Sequence, residues 1–261
     1  VTIYARDQLP LTTSARATGE WTPDSRVADA YATAPGFGTM WEEMARSAFK
    51  AHRDYLGLAG TPVEWIDQYS VSDTTPGSGG SAAPSVAQPR TVRFVHLGQR
   101  IRDLTPTWRR VPIEETPFNG ASAARSEIMI FNISEYGHTL MNDFLIAGGQ
   151  FRRADFQAPA QIAALSQKVV INCTGYGARA LWRDETMVPI RGQIARLIPQ
   201  PEVRYGLTYR HVLTVPRRDG LVVQSFAGGA MQGYDNANET PDRAEAEEAV
   251  KTLAELFTKS A

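Results

Sequence analysis

Cysteine is all but missing. Cys173 stands alone among 261 residues, which excludes an intramolecular disulfide, and without a second thiol or a suitably spaced histidine there is no structural zinc pattern. A surplus of either charge is missing too. Basic residues number 27 against 28 acidic ones, a net of −1, so no global field draws the chain to nucleic acid or to an anionic membrane. No basic stripe or aromatic platform for nucleic acid is present. No apolar run approaches the roughly 20 residues of a membrane-spanning helix, so the chain reads as soluble, and no internal repeat is visible. What remains is an ordinary globular composition, 43% hydrophobic and 21% charged, large enough for one large or two smaller domains. Small-molecule chemistry is the favoured class.

VTIYARD opens at Val1 as a strand already under way, with no initiating methionine, charged leader or preceding turn, so upstream sequence is expected to be missing. The compartment is left open, with the cytoplasm as default, since Lys259-Ser260-Ala261 is not the peroxisomal Ser-Lys-Leu signal.

Elements alternate along the chain. Val1 to Tyr4 is a strand candidate, and a Thr12-Thr13-Ser14 run follows in a loop. Trp41, Met44, Ala48, Phe49, His52, Tyr55 and Leu56 recur at helical spacing within 38–56, a helix stopped by Gly57. The segment 72–89, SDTTPGSGGSAAPSVAQP, has too few large apolar groups to offset its ordering entropy and is predicted to be a mobile surface loop. Strands are predicted at 92–97 and 127–133, a helix over 136–147 ended by Gly148-Gly149, and then a βαβ-like run. That run comprises 150–156, a helix near 158–165 and a buried strand over 168–173. Segments 192–198, 211–215 and 221–226 read as successive antiparallel strands. The last helix is predicted to start with Thr240 as N-cap and Pro241 as first residue, and to present Ala246, Val250, Leu253 and Phe257.

The stretch VVINCTGYGARAL at 169–181 poses a chemical question, because an apolar run stops at Asn-Cys-Thr and breaks into two glycines before a helix-like tail. A strand ending in Thr-Gly would put the Thr174 hydroxyl and the Gly175 amide at the carboxyl end of a parallel sheet, where doubly wound folds bind nucleotides. After the first strand, Asp7 offers a carboxylate for a ribose hydroxyl and Arg6 a guanidinium to lie over an adenine. Each signal also has a plain reading, a strand-to-helix turn for NCTGYG and a solvated ion pair for Arg6-Asp7.

Taken together, VTIYARDQLPLTTSARATGEW, MIFNISEYGHTLMNDFLIAGGQF, VVINCTGYGARAL and VPIRGQIARL resemble the D-amino-acid oxidase family in order and spacing over essentially the whole chain. The resemblance implies FAD as cofactor. By position, Arg6 and Asp7 would contact its adenosine end, and Thr12, Thr13 and Ser14 would line the pyrophosphate and flavin region. Gly19 would let the backbone approach the ring, Ala154 would meet the adenine through its main chain, and Thr174 and Gly175 would complete the cradle. The run at 12–14 could instead be a capping run. Tyr209 matches an active-site tyrosine that holds the amino acid, or is a half-buried strand aromatic; the family's second tyrosine falls here on Leu213. Arg191 pins its strand or binds a carboxylate; His138 and His211 are ordinary polar residues or acid-base groups, and the family reaction needs neither.

The implied reaction takes a hydride from the α-carbon of a D-amino acid to flavin N5, giving an imino acid, and molecular oxygen is reduced to hydrogen peroxide. The family's G-x-G-x-x-G turn does not precede Val1, and its later carboxylate-binding arginine does not follow Phe257, so both ends are expected to be cut and the isolated stretch to bind FAD poorly. Alternatives are a flavin oxidase of glycine or a secondary amine, suggested by Leu213, and a non-catalytic remnant. The expected architecture is α/β, a Rossmann-like FAD-binding domain interleaved with a mostly antiparallel-sheet substrate domain. The FAD-binding part is assigned to 1–60 and 148–190, the substrate part to 61–147 and 191–240, and 241–261 to a helix returning to the FAD part. Expected partners are an amino acid or amine and oxygen, with no nucleic acid, membrane or metal; oligomeric state, a homodimer included, is left open.

Overall fold

A computed structural model describes residues 1–75 and 92–257. Of the loop expected over 72–89, residues 76–89 lie outside the described residues.

Two sheets carry the fold. In the smaller, β1 (Thr2–Ala5) pairs in parallel with β5 (Gln150–Arg153), in register from Thr2 opposite Gln150 to Ala5 opposite Arg153. Parallel pairing sends both carboxyl ends out on the same side. The larger sheet has seven strands. These are β2 (Val63–Ser72), β3 (Arg109–Val111), β4 (Ser122–Phe131), β6 (Ala195–Leu197), β7 (Tyr205–Tyr209), β8 (Val212–Arg217) and β9 (Gly220–Ser225). Their order is β3-β4-β2-β7-β8-β9-β6, and every neighbouring pair is antiparallel except β2 with β7.

Alternating apolar residues give this sheet two buried faces. On one, Val71, Leu207, Tyr209, Val212 and Val223 pack under α5 (Arg243–Ala254). On the other, Ile130, Val215 and Val222 join Ile66, Ile128 and Leu213. The helix expected to return to the nucleotide-binding part thus covers the large sheet, burying Ala249 and Leu253, with Leu256 just beyond it, while Phe257 is left half exposed. Its N-cap is Asp242 and not Thr240: the Asp242 carboxylate accepts from Glu245 N at 3.0 Å, while the Thr240 carbonyl is taken by the Arg191 guanidinium.

α1 (Phe37–Arg53) buries Trp41 and Ala45 over Ile101. Met44, assigned to that stripe, is 62% exposed, because small Ala45 takes the contact position and Met44 lies a residue round the helix. α2 (Ile133–Ile146) follows β4 and ends before Gly148, as the paired glycines imply. Two short helices, α3 (Pro159–Ala163) and α4 (Gly177–Trp182), lie between β5 and β6.

Two strand expectations are overturned. Within 92–97 only Phe94 bridges, to Asp29, through backbone bonds from Ala30 N to Arg93 O at 2.6 Å and from Val95 N to Ala28 O at 3.0 Å, and the pairing goes no further because the Leu97 amide is taken by the Asp24 carboxylate. Residues 168–173 form no strand either: Val169 is 81% and Ile171 82% exposed, because among the described residues no strand stands beside them to complete a ladder.

The β8–β9 hairpin holds the fold's buried ion pair. Arg217, with a fully buried side chain, forks onto Asp219, its Nε donating to Oδ1 at 2.8 Å, and its Nη1 donates to the Ala17 carbonyl at 2.6 Å. Removing one partner strands a buried charge. Asp219→Ala is therefore expected to lower unfolding stability by about 3 kcal/mol, read from denaturant midpoints; a loss under about 0.5 kcal/mol would mean the guanidinium is stabilised otherwise.

Candidate functional site

The β1/β5 corner gathers three of the residues singled out from the sequence. Ala154 N donates to Ala5 O at 3.0 Å, Arg153 Nε donates to Arg6 O at 3.0 Å, and Arg6 Nε reaches Asp7 Oδ2 at 2.7 Å. Arg6 projects into solvent, its side chain 68% exposed, whereas the Asp7 side chain is largely shielded at 22%. An open guanidinium and a fixed carboxylate therefore stand beside the Ala154 main chain.

The Thr12-Thr13-Ser14 run leads into a 3-10 turn over Thr13–Arg16. The capping alternative fails, because Thr12 makes no side-chain cap bond. Its hydroxyl is instead buried with no hydrogen-bond partner, the only such side-chain atom among the described residues. A buried hydroxyl without a partner costs of order 1–3 kcal/mol, which a ligand acceptor or donor would recover. Thr13 and Ser14 beside it are exposed.

Gly19 has φ +92°, and a Cβ there would lie 2.8 Å from Phe131 O and 3.2 Å from Arg217 Cδ. The need for glycine is thus met by protein contacts, where an approach to a ring was expected. At the second glycine turn, Thr174 donates its hydroxyl to Asn172 Oδ1 at 2.8 Å, and Gly175 at φ +54° faces open space. Among the described residues no hydrogen bond or ion pair joins this turn to the Arg6-Asp7 corner. The β1 strand meets the chain between α3 and this turn through Tyr4, whose hydroxyl donates to Gln167 Oε1 at 3.3 Å, and its ring meets Phe156.

Tyr209 is 2% exposed within the core under α5, its hydroxyl donates to Asp73 Oδ1 at 2.7 Å, and the Arg210 guanidinium lies 4.7 Å over its ring. Burial first, and the Asp73 carboxylate second, push the phenol up to about 12. For Asp73, burial works the other way, yet the Tyr209 and Arg210 hydrogen bonds hold it below the usual carboxylate range. Tyr209 packs on the α5 face of the large sheet, and Leu213 points to the opposite face. Arg191 pins its segment, as one reading had it, donating to Gln193 Oε1 and Thr240 O, both at 3.1 Å.

A carboxylate that sequence reasoning passed over sits where the edge of β4 is left unpaired. β3 covers β4 only at Ala123 to Arg125, and Glu20 bridges it at Ile130. Between them opens a cavity of about 750 Å³, walled by the segment from Glu20, the loop reaching Trp108, and Trp65 and Gln68 of β2. Glu20 Oε1 accepts from Gln68 Nε2 at 3.3 Å, and burial pushes its carboxyl up to about 7. The sequence signal was the Gly19-Glu20-Trp21 triplet, an acid between a positive-φ glycine and an indole.

A small parallel sheet set beside a large, mostly antiparallel one gives the chain its α/β fold. The chain belongs to the FAD dependent oxidoreductase (DAO) family, whose model matches residues 1–261. It is 40% identical over 74 residues to a D-amino acid oxidase of Dugesia ryukyuensis, covering 28% of this chain and 21% of that one. It is 31% identical over 179 residues to a D-amino-acid oxidase of Rubrobacter xylanophilus, covering 61% and 52% respectively. The chain therefore spans about half or less of these curated relatives. Its fold is similar to that of glycine oxidase from Geobacillus kaustophilus, with a TM-score of 0.60 at 11% identity over 98% of this chain and 70% of that one. The partnerless Thr12 hydroxyl and the open space at Gly175 fit the FAD on which this family depends. Among the described residues no helix is long and apolar enough to cross a membrane.

Glu20 makes stability depend on pH. Its folded pKa is raised, so the folded state holds the proton more tightly than the unfolded one, and the stability this contributes is full below about pH 4.5 and lost as pH rises through about 7. Glu20→Gln is expected to stabilise the protein by about 2 kcal/mol at about pH 8 and to be neutral at about pH 4. Thermal melts across that range check it; a difference independent of pH would show that Glu20 is solvated.

Proposed function

We propose that the chain forms part of an FAD-dependent oxidoreductase that oxidises the C–N bond of a D-amino acid to an imino acid, with hydrogen peroxide formed from oxygen. The observation that carries this is the corner itself: parallel β1 and β5 hold the Arg6-Asp7 pair beside the Ala154 main chain, in a chain that matches the FAD-dependent family throughout.

The residues present fit the cofactor as follows. The Asp7 carboxylate would accept from ribose hydroxyls, the Arg6 guanidinium would lie over the adenine, and the Ala154 main chain would meet its edge. The Thr12 hydroxyl, with Thr13 and Ser14, would line the pyrophosphate and flavin region, and Thr174 with Gly175 would complete the cradle. Gly19 serves by seating that loop on the sheet. FAD, when bound, supplies the hydride acceptor and hands the electrons to oxygen. What these residues supply is orientation and exclusion of water, and with the amine entering as its free base no protein base is required. Tyr209, matched by position to an active-site tyrosine, has its hydroxyl on Asp73 and its ring under Arg210 in the free protein, so holding substrate would require those exposed partners to yield.

A second reading, a flavin oxidase of glycine or of a secondary amine, is favoured by Leu213 at the position where the family carries a tyrosine. The discriminating experiment uses the protein as its whole gene encodes it, scored for flavin absorbance and for peroxide release from D-amino acids, glycine and N-methyl amino acids. Turnover of D-amino acids is expected. Turnover confined to glycine or to N-methyl compounds would replace the first reading with the second, and absence of flavin would leave a non-catalytic remnant.

Thr12→Val separates a cofactor role from a structural one. It removes the partnerless hydroxyl, so the apoprotein is expected to keep or gain stability by up to about 1 kcal/mol while FAD affinity falls about tenfold. Unchanged affinity in a flavin titration would free Thr12 from the cradle.

A further inference from the structure

On the face of the large sheet turned away from α5, a polar side chain meets the loop that leads from the β1/β5 corner. Gln224 of β9 stands directly opposite Leu213 of β8, and Leu213 opposite Thr208 of β7, so the three side chains form one row on that face. In the next row towards the hairpin Val215 and Val222 are fully buried, whereas Gln224, Leu213 and Thr208 are half-buried. The cover of this face stops at Gln224. Thr18, which follows the Thr12-Thr13-Ser14 run and precedes Gly19, donates its hydroxyl to Gln224 Oε1 at 2.5 Å. That separation suits O–H···O and is too short for N–H···O, so the amide nitrogen points away from Thr18. Among the described residues Nε2 has no hydrogen-bond partner, and since the Thr12 hydroxyl is the only buried side-chain atom without one, Nε2 reaches the surface. Its surroundings are uncharged. Leu213 lies across from it on one side and the register of β6 with β9 puts Ile194 on the other, while Arg196 and Arg217, further along this face, are both committed to Asp219.

Two oriented amide protons in an uncharged, half-buried setting can serve only an acceptor. The substrate amine keeps its lone pair for the C–N bond that is about to double, which leaves the carboxylate as the acceptor shared by D-amino acids, glycine and N-methyl amino acids. An ionised acceptor also takes an N–H donor more strongly than an uncharged carbonyl does. We infer that Gln224 is a substrate-binding residue whose Nε2 donates to the substrate carboxylate, and that Thr18 is the positioning residue that turns the amide that way. The enzyme then acts on amino acids and discriminates against amines without a carboxylate, whichever amino acid it prefers. The substrate half of this rests on the oxidase reading above; the oriented donor rests on the sheet and its Thr18 contact alone.

The test uses the protein as its whole gene encodes it, with FAD added. Binding is read by calorimetry, with isobutyrate as the carboxylate probe and isobutyramide as its neutral counterpart. Wild type is expected to bind isobutyrate at least about tenfold tighter than isobutyramide. Gln224→Glu keeps the side-chain length and an acceptor for Thr18 but sets a like charge against the probe. Isobutyrate affinity is expected to fall about a hundredfold while isobutyramide stays within about threefold, which inverts the preference. In peroxide assays with the amino acid that wild type turns over best, Gln224→Leu is expected to raise KM about tenfold and to leave kcat within about threefold. Thr18→Val is expected to raise KM about threefold, and Thr18→Ser, which keeps the hydroxyl, to restore it. An isobutyrate preference that Gln224→Glu retains, or a KM that Gln224→Leu leaves unchanged, overturns the inference. Gln224-dependent isobutyrate binding without turnover of any amine would keep the carboxylate site and remove the oxidase reading. Turnover of amino acids with KM unmoved by Gln224→Leu would do the reverse.

Discussion

The junction of Arg217 with the segment Ala17 to Gly19 is the contact on which the remaining geometry depends. A fully buried guanidinium satisfies Asp219 at the β8–β9 turn and the Ala17 carbonyl at once, and Gly19, at φ +92°, lies close enough to Phe131 that a side chain would not fit. Phe131 N also donates to Gly19 O at 2.7 Å. A charge taken out of water persists only if its partners are held in place, and this one has partners on two distant parts of the chain. The loop that begins at the nucleotide-type corner is thereby fastened to the large sheet.

That fastening explains why two chemically different features fall on one short segment. Thr12 and Glu20 are eight positions apart, yet one presents an unpartnered hydroxyl near α2 and the other an under-solvated carboxylate at the β4 edge. Both are costly arrangements in the free protein. The segment can hold them because its far end is locked by backbone bonds to Phe131 and Met129, the Trp21 amide donating to the Met129 carbonyl at 2.9 Å. Strain of this kind, at groups able to meet a ligand, is what a binding site accumulates.

Much of the architecture could be seen in the residues, because periodicity reports burial directly. Alternation in EIMIFNI and LVVQSF produced β4 and β9, the apolar stripe with Trp41 produced α1, and the paired glycines ended α2 where expected. The failures share one cause. Val169 to Ile171 have strand propensity but no neighbouring strand, Val92 to Leu97 find only a single bridge at Asp29 before Asp24 takes the Leu97 amide, and Met44 yields its contact to Ala45. Propensity describes one segment; a ladder or a packed face needs two.

From its residues alone, the chain determined its family, its α/β character and the chemistry available at Arg6, Asp7, Ala154 and Thr12, since these depend on residue type and order along the chain. Only the tertiary structure decided what each residue spends that chemistry on. Tyr209 gives its hydroxyl to Asp73, Gly19 its missing side chain to Phe131, and Glu20 is left with a carboxylate facing a cavity. The reason is physical: availability is set by which polar groups are already paired, and pairing between residues 73 and 209, or 17 and 217, is a property of the folded chain that no local pattern encodes.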